Sequence, residues 1–363
     1  MYIGSTSSVG LHHLVWEAVD NSVDEAQAGF CDRIDVTIHS DNSISVKDNG
    51  RGIPVEFHES GVSALEVVMT TLHAGGKFDN DAYKTSGGLH GVGISVVNAL
   101  SELLQVEICR SGKIHVQEFS RGEPITKQEI KGKTELSGTK IRFKPDTEIF
   151  EVIKFNFETL SGRLRELAYL NSGLTITLSD KREGKEENQI KYCFDGGLIS
   201  YVKYLNENKA VLHDEPVWFS QEVELEEEGT IKIEVSLQYN TGYQEEIFSF
   251  VNNINTKDGG THLTGFKTAL TRALNDYAAK HKLLKKSEDS FNGNDVREGL
   301  AALISIKIPD PQFEGQTKTR LGNRSVAGAV SSHVSRKLNT FLEENPSTGK
   351  KIIQKCLLTS AAR

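Results

Sequence analysis

Residues 12–26 read His12-His13-Leu14-Val15-Trp16-Glu17-Ala18-Val19-Asp20-Asn21-Ser22-Val23-Asp24-Glu25-Ala26. Taken from Leu11 to Gly29, the apolar residues Leu11, Leu14, Val15, Ala18, Val19, Val23 and Ala26 recur at helical spacing, and Gly29 stands where a helix stops. The opposite side carries His13, Glu17, Asn21 and Glu25, each four apart and so stacked on one face, with Asp20 and Asp24 alongside. The plain alternative is a solvated surface. Asn is a poor helix former, however, and the ladder lacks the Glu–Lys pairing of an exposed helix. Read as chemistry, Glu17 polarises a water, His13 one turn earlier orients Glu17, and the Asn21 amide oxygen ligates Mg²⁺. The helix alone does not decide between the two.

Two neighbouring stretches add to it. Alternating segments at 33–39 and 43–48, joined by Asp41-Asn42, predict a hairpin whose second strand ends in Asp48-Asn49-Gly50-Arg51-Gly52-Ile53-Pro54. A carboxylate at a strand end, followed by glycines that admit close backbone approach, suits a ring with an exocyclic amine. A plain turn explains the glycines but not Asp48. After a helix near 62–72, residues 74–93 hold six glycines, too many for a regular element. Its end, Ser86-Gly87-Gly88-Leu89-His90-Gly91-Val92-Gly93, opens an apolar helix, where unpaired N–H groups and the positive dipole end suit an anion. No Gly-Lys-Ser/Thr follows and no βαβ unit surrounds it, so it is neither a Walker nor a Rossmann turn. His73-Ala74-Gly75-Gly76-Lys77-Phe78-Asp79, with Tyr83 and Lys84, reads as a phosphate-covering lid.

The remaining pattern alternates strands (103–109, 113–119, 138–143, 173–178, 189–194) with a helix near 155–170, and changes texture after Asp195-Gly196-Gly197. A domain boundary is placed there, giving domains 1–195 and 196–363. Beyond it come a short helix (198–207), an acidic segment 214–228 with seven carboxylates and no basic residue, strands near 230–238 and 245–252, a helix 261–282, a strand 299–308, a loop 309–323 and C-terminal helices. The 363 residues carry a net charge of −8, which excludes broad electrostatic adhesion to DNA or anionic membrane. No apolar run reaches membrane length, no signal peptide is visible, and the spacing of Cys31, Cys109, Cys193 and Cys356 fits neither a zinc site nor a redox pair, so a cytoplasmic protein with reduced thiols is expected.

In combination, these motifs resemble the gyrase, heat-shock chaperone, histidine kinase and mismatch-repair ATPase superfamily. Residues 12–26, 72–78 and 86–93, with Gly138-Thr139-Lys140-Ile141-Arg142-Phe143-Lys144-Pro145-Asp146, Asp295-Val296-Arg297-Glu298-Gly299-Leu300 and Gln316-Thr317-Lys318-Thr319-Arg320-Leu321-Gly322, are similar to the ATPase fragments of bacterial type II topoisomerases. The gyrase B family is favoured by residues 309–313 and the Lys-Thr-Arg-Leu-Gly sequence, with topoisomerase IV as the alternative. The resemblance implies an α+β fold: a Bergerat-type sandwich with a mixed, largely antiparallel sheet and helices on one face, then a smaller β-α transducer domain with a left-handed βαβ crossover, an exception to the usual hand.

It further implies that Glu17 is the general base, His13 its orienting partner and Asn21 the Mg²⁺ ligand. Asp48, with Thr139, would take the adenine amine, and Glu25, Arg51, Gly52, Ile53 and Pro54 would line a pocket where coumarin-type inhibitors compete. Tyr83 would meet the adenine side. Lys77, Gly88, Leu89, His90, Gly91, Val92 and Gly93 would wrap the phosphates of ATP, and Gln316 and Lys318 would reach the γ-phosphate. The implied partners are duplex DNA, gyrase A, and a second copy of the chain in a homodimer. The family carries an arm before Met1-Tyr2-Ile3-Gly4, so weakened dimerisation and turnover are expected, and an end at Arg363 implies no DNA cleavage by this chain alone. Residues 316–363 hold nine Lys+Arg and two Asp+Glu, and 261–286 add six Lys+Arg against Asp276. Those helices are either solvated faces or the lining of a dimeric clamp around DNA. A histidine kinase using His12 or His13, or a chaperone-like clamp, is the rival. The first lacks a preceding phosphoacceptor helix and the second is at odds with the loop of Gln316 and Lys318.

Overall fold

Alternation at Arg33–Ile38 (β1) and Ile44–Asp48 (β2) puts Ile34, Val36, Ile38, Ile44 and Val46 on one face of an antiparallel pair, with Asn42 in the turn at φ 61°. From this hairpin the first sheet grows outward in a computed structural model, which describes residues 3–57, 61–72, 92–184, 188–284, 290–315 and 317–362. The chain forms two compact units, Met1–Asp195 and Gly196–Arg363.

In the first unit, β3 (Ser101–Arg110), β4 (Lys113–Ser120), β5 (Glu123–Pro124), β6 (Glu129–Lys133), β7 (Gly138–Pro145), β8 (Thr175–Asp180) and β9 (Asn188–Tyr192) complete the sheet in the order β5-β4-β3-β7-β2-β1-β8-β9, with β6 also on β4. Among the described residues of this sheet only the β1–β8 pair is parallel. The short β5 and β6 went unread in the sequence because neither has a sustained alternation. Helices α1 (Ser8–Gln27), α2 (Ala64–Thr70), α3 (Gly93–Ala99) and α4 (Phe157–Leu170) share one apolar cluster with the inward strand positions. Leu11, Leu14, Val15 and Val19 of α1 are fully buried, each side chain worth about 1.5–3 kcal/mol of transfer free energy. Ser7 starts α1 by accepting from the Val9 N–H.

The second unit holds α5 (Gly197–Leu205), β10 (Val217–Leu225), β11 (Gly229–Tyr239), β12 (Glu246–Val251), β13 (Ile254–Asn255), α6 (Thr261–Lys280), β14 (Leu300–Lys307), α7 (Arg324–Glu344) and α8 (Pro346–Ala362). Its sheet runs β10-β11-β14-β12-β13, and the parallel pair β12–β14 is linked through α6 as a βαβ unit. The acidic segment 214–228 is not simply charged surface: nine of its residues form β10, with Val217 and Phe219 facing the core and Glu222 and Glu224 outward. Helices α6, α7 and α8 share one apolar cluster with β11 and β14. No helix among the described residues is long and apolar enough to cross a membrane.

Candidate active site

Helix α1 presents its polar face at two places in the first unit. At its middle, Glu17 lies against Gly93, the first residue of α3, so closely that a methyl group there would overlap the carboxylate. Farther along, Ser22 Oγ donates to Asp48 Oδ2 at 2.8 Å, while the Gly50 and Thr139 backbone N–H groups both donate to Asp48 Oδ1 at 3.0 Å. Asp48 is only 8% exposed. Burial raises its carboxyl above the ordinary carboxylate range against the pull of those three hydrogen bonds, and the nearby Glu25 charge raises it further. A carboxylate has about four lone-pair sites, so three donors leave it able to take one more N–H.

Glu25 holds Arg51 in a two-pronged pair: Arg51 Nη2 to Oε1 at 2.8 Å and Nε to Oε2 at 3.1 Å, with the Arg51 backbone N–H also donating at 3.2 Å. The Phe30 ring lies 3.8 Å from the Arg51 guanidinium carbon. Next in the chain, Gly52 has φ +79° with Ile108, the Cys109 carbonyl and the Gly138 carbonyl close to where a Cβ would sit, so only glycine fits. The Ile53 N–H donates to Thr139 Oγ1 at 3.2 Å, and Pro54 is exposed. Arg110, which the sequence reading did not single out, donates from Nη1 to the Gly52 carbonyl at 2.8 Å. Its only local mark is its place at the end of β3.

The structure thus brings Glu25, Asp48, Arg51, Gly52, Ile53 and Thr139 together around α1, β2 and β7 and sets Glu17 against Gly93 of α3, with Asn21 between Glu17 and Glu25 along α1. Val92 is buried beside Gly93, and His13 is exposed one turn before Glu17. Lys77, Tyr83, Gly88, Leu89, His90, Gly91 and Gln316 lie outside the described residues. Lys318 belongs to the second unit, half-buried with φ 52°. Asn21 is half-buried on the polar face of α1. No group of three or more His, Cys, Asp or Glu among the described residues could hold a metal. A single amide oxygen instead suits Mg²⁺ that arrives with phosphates and keeps most of its waters.

His12 has no freedom to accept a phosphoryl group. It is buried, Nδ1 donates to the Ser8 carbonyl at 2.6 Å, and Nε2 accepts from the Asn156 N–H at 3.0 Å.

Comparisons with known proteins bear on the same geometry. Residues 6–149 match the family of histidine kinase-, DNA gyrase B- and HSP90-like ATPases, and residues 197–363 match DNA gyrase B. Over its whole length the chain is 56% identical to the DNA gyrase B protein of Halalkalibacterium halodurans and covers 56% of that protein. It therefore spans just over half the length of the curated relatives it matches. The 43K ATPase domain of Thermus thermophilus gyrase B, solved with an aminocoumarin, superposes with a TM-score of 0.83 at 42% identity, covering all of this chain and 93% of that one. The topoisomerase IV ATP-binding domain of Francisella tularensis, solved with a small-molecule inhibitor, gives 0.79 at 35% identity, covering all of this chain and 95% of the other.

Proposed function

Because the chain belongs to the DNA gyrase B family, we propose that it binds and hydrolyses ATP as the energy-coupling part of a type II DNA topoisomerase. The observation that carries this reading is the use of one helix at both ends of the site. Glu17 meets Gly93 and Glu25 meets Arg51, eight residues apart on α1. At 1.5 Å per residue that is about 12 Å, so one rigid helix sets the spacing between the two ends of the site.

In this reading Asp48 takes the purine amine on its remaining acceptor site, and the Arg51–Glu25 pair with Gly52, Ile53, Pro54 and Thr139 walls the base. Glu17 accepts the proton of the water whose oxygen attacks the γ-phosphorus, ADP leaves with the bridging oxygen, and His13 fixes the Glu17 carboxylate. Val92 and Gly93, with Lys77, Tyr83 and Gly88, Leu89, His90 and Gly91, hold the nucleotide. Asn21 offers the one protein oxygen to Mg²⁺, which when bound neutralises phosphate charge. Gln316 and Lys318 answer the γ-phosphate. Such chemistry asks for positioning and charge stabilisation rather than a covalent step.

Supercoiling in the complete cytoplasmic enzyme, with duplex DNA, gyrase A and a second copy of gyrase B as partners, follows as part of the proposal. So does binding of coumarin-type inhibitors, supported by the aminocoumarin complex of the Thermus relative. The basic residues of α6 and α7, Arg336 and Lys337 among them, would face the DNA. The topoisomerase IV alternative is less well supported, since its solved relative is less similar than the gyrase one.

The test is Glu17→Ala beside Asp48→Asn in the full-length protein. Glu17→Ala is expected to keep its affinity for a non-hydrolysable ATP analogue and to lose about 10²–10⁴-fold in turnover, the range of a general base. Asp48→Asn is expected to weaken binding itself by about tenfold or more, as loss of a hydrogen bond to a charged group does. Full turnover in Glu17→Ala, or unchanged affinity in Asp48→Asn by titration calorimetry, would overturn those roles.

A further inference from the structure

Of the seven carboxylates in residues 214–228, Glu228 alone is buried, at 8% exposed. It closes the turn between β10 and β11. Its Oε1 accepts from Ser325 Oγ and from Asn323 Nδ2 at 3.4 Å, while Oε2 is buried with no hydrogen-bond partner among the described residues. Ser325 lies in the first turn of α7, so the carboxylate sits at the positive end of a 21-residue helix.

Asn323 stands at the N-cap of α7, yet its side chain makes no capping bond to the helix. It is used on the preceding loop instead: Oδ1 accepts from the Gln312 N–H at 2.7 Å and Nδ2 donates to the Asp310 carbonyl at 3.2 Å. The Gly322 N–H donates to the Gln312 carbonyl at 2.7 Å and the Glu314 N–H to the Arg320 carbonyl at 2.9 Å. Residues 312–315 and 317–322 are therefore two legs tied together at their base by Asn323, with Lys318 on the second leg. One leg is fixed through buried Leu321, whose N–H donates to the Gly259 carbonyl and whose carbonyl accepts from the Thr261 N–H, both at 3.1 Å.

Burying a carboxylate is unfavourable unless it is well partnered, and a hairpin turn has no need of it. Asn is itself among the best N-cap residues. We propose that Glu228 is a positioning residue for Lys318: by accepting from Ser325 Oγ and Asn323 Nδ2 it keeps the Asn323 side chain off the helix end and on the base of the Lys318 loop. The β10–β11 turn thereby sets where the lysine stands. This rests on the reading in which Lys318 answers the γ-phosphate.

The experiment measures the affinity ratio of a non-hydrolysable ATP analogue to ADP, by calorimetry on the full-length protein. That ratio isolates the γ-phosphate contact and is insensitive to general loosening of the fold. Lys318→Ala should lower it about tenfold or more, as removal of a charged hydrogen bond does. Glu228→Ala should lower it about threefold or more with ADP affinity unchanged, and should have no further effect in the Lys318→Ala background. Glu228→Gln, which keeps an acceptor for Ser325 and Asn323, should restore most of the ratio. A native ratio in Glu228→Ala, or a loss that multiplies with that of Lys318→Ala, overturns the proposal alone. A native ratio in Lys318→Ala overturns the γ-phosphate reading and the proposal with it. Should Glu228→Ala not fold, Ser325→Ala carries the same test, with a smaller loss that must again vanish without Lys318.

Discussion

Arg51 is held from two sides, by the Glu25 carboxylate and by the face of Phe30. A cation over an exposed ring contributes about 0.5–1 kcal/mol, while the carboxylate pair sets direction. If Arg51 walls the base, Phe30→Ala should weaken ADP binding about two- to fivefold and Phe30→Tyr should leave it near native, by titration calorimetry. Native affinity in Phe30→Ala would show that the ring does not steady the arginine. Glu25 and Arg51 could be picked out from the sequence because each belongs to a motif with a chemical logic. Their pairing could not, since it joins positions 26 apart through the packing of α1 on β2. Arg110 was invisible for a similar reason: only the fold carries the end of β3 to the Gly52 carbonyl.

At the scale of elements, the approach of α1 to the start of α3 places Gly93 between two opposing effects. Helix propensity favours alanine there by up to about 1 kcal/mol. A Cβ, however, would occupy the space of the Glu17 carboxylate and force it aside. Misplacing a reacting group by about 1 Å can cost on the order of 10²-fold in rate. Gly93→Ala is therefore expected to hold or raise the melting temperature of the first unit while lowering ATP turnover at least about tenfold. Native turnover would mean that Glu17 has room to work elsewhere. Elements with a strong period were legible: α1, α4, α6 and the β1–β2 hairpin lie within a few residues of their expected ends. Strand β10 was obscured because its outward positions are acidic. That charge is what an edge strand carries to discourage pairing with another chain, and only the inward Val217 and Phe219 reveal the strand.

Over the whole molecule, each unit has its own apolar core, one centred on the nine-stranded sheet and one on the five-stranded sheet. Two cores in one chain suit two unfolding transitions, which makes ligand linkage a test of the lysine that the second unit is proposed to supply. A ligand at 100 times its dissociation constant stabilises what it binds by about 2.7 kcal/mol. For units of this size each kcal/mol moves the midpoint by about 2–4 °C, so a bound nucleotide should raise a transition by about 5–10 °C. ADP, lacking the γ-phosphate, should raise the transition of the first unit and leave the second in place. A non-hydrolysable ATP analogue should raise both, and Lys318→Ala should return the analogue to the pattern of ADP. If the analogue moves only the first transition in the native chain, Lys318 does not answer the γ-phosphate. If ADP already moves both, the coupling runs through the purine end of the site and Asp48, not Lys318, becomes the residue to alter.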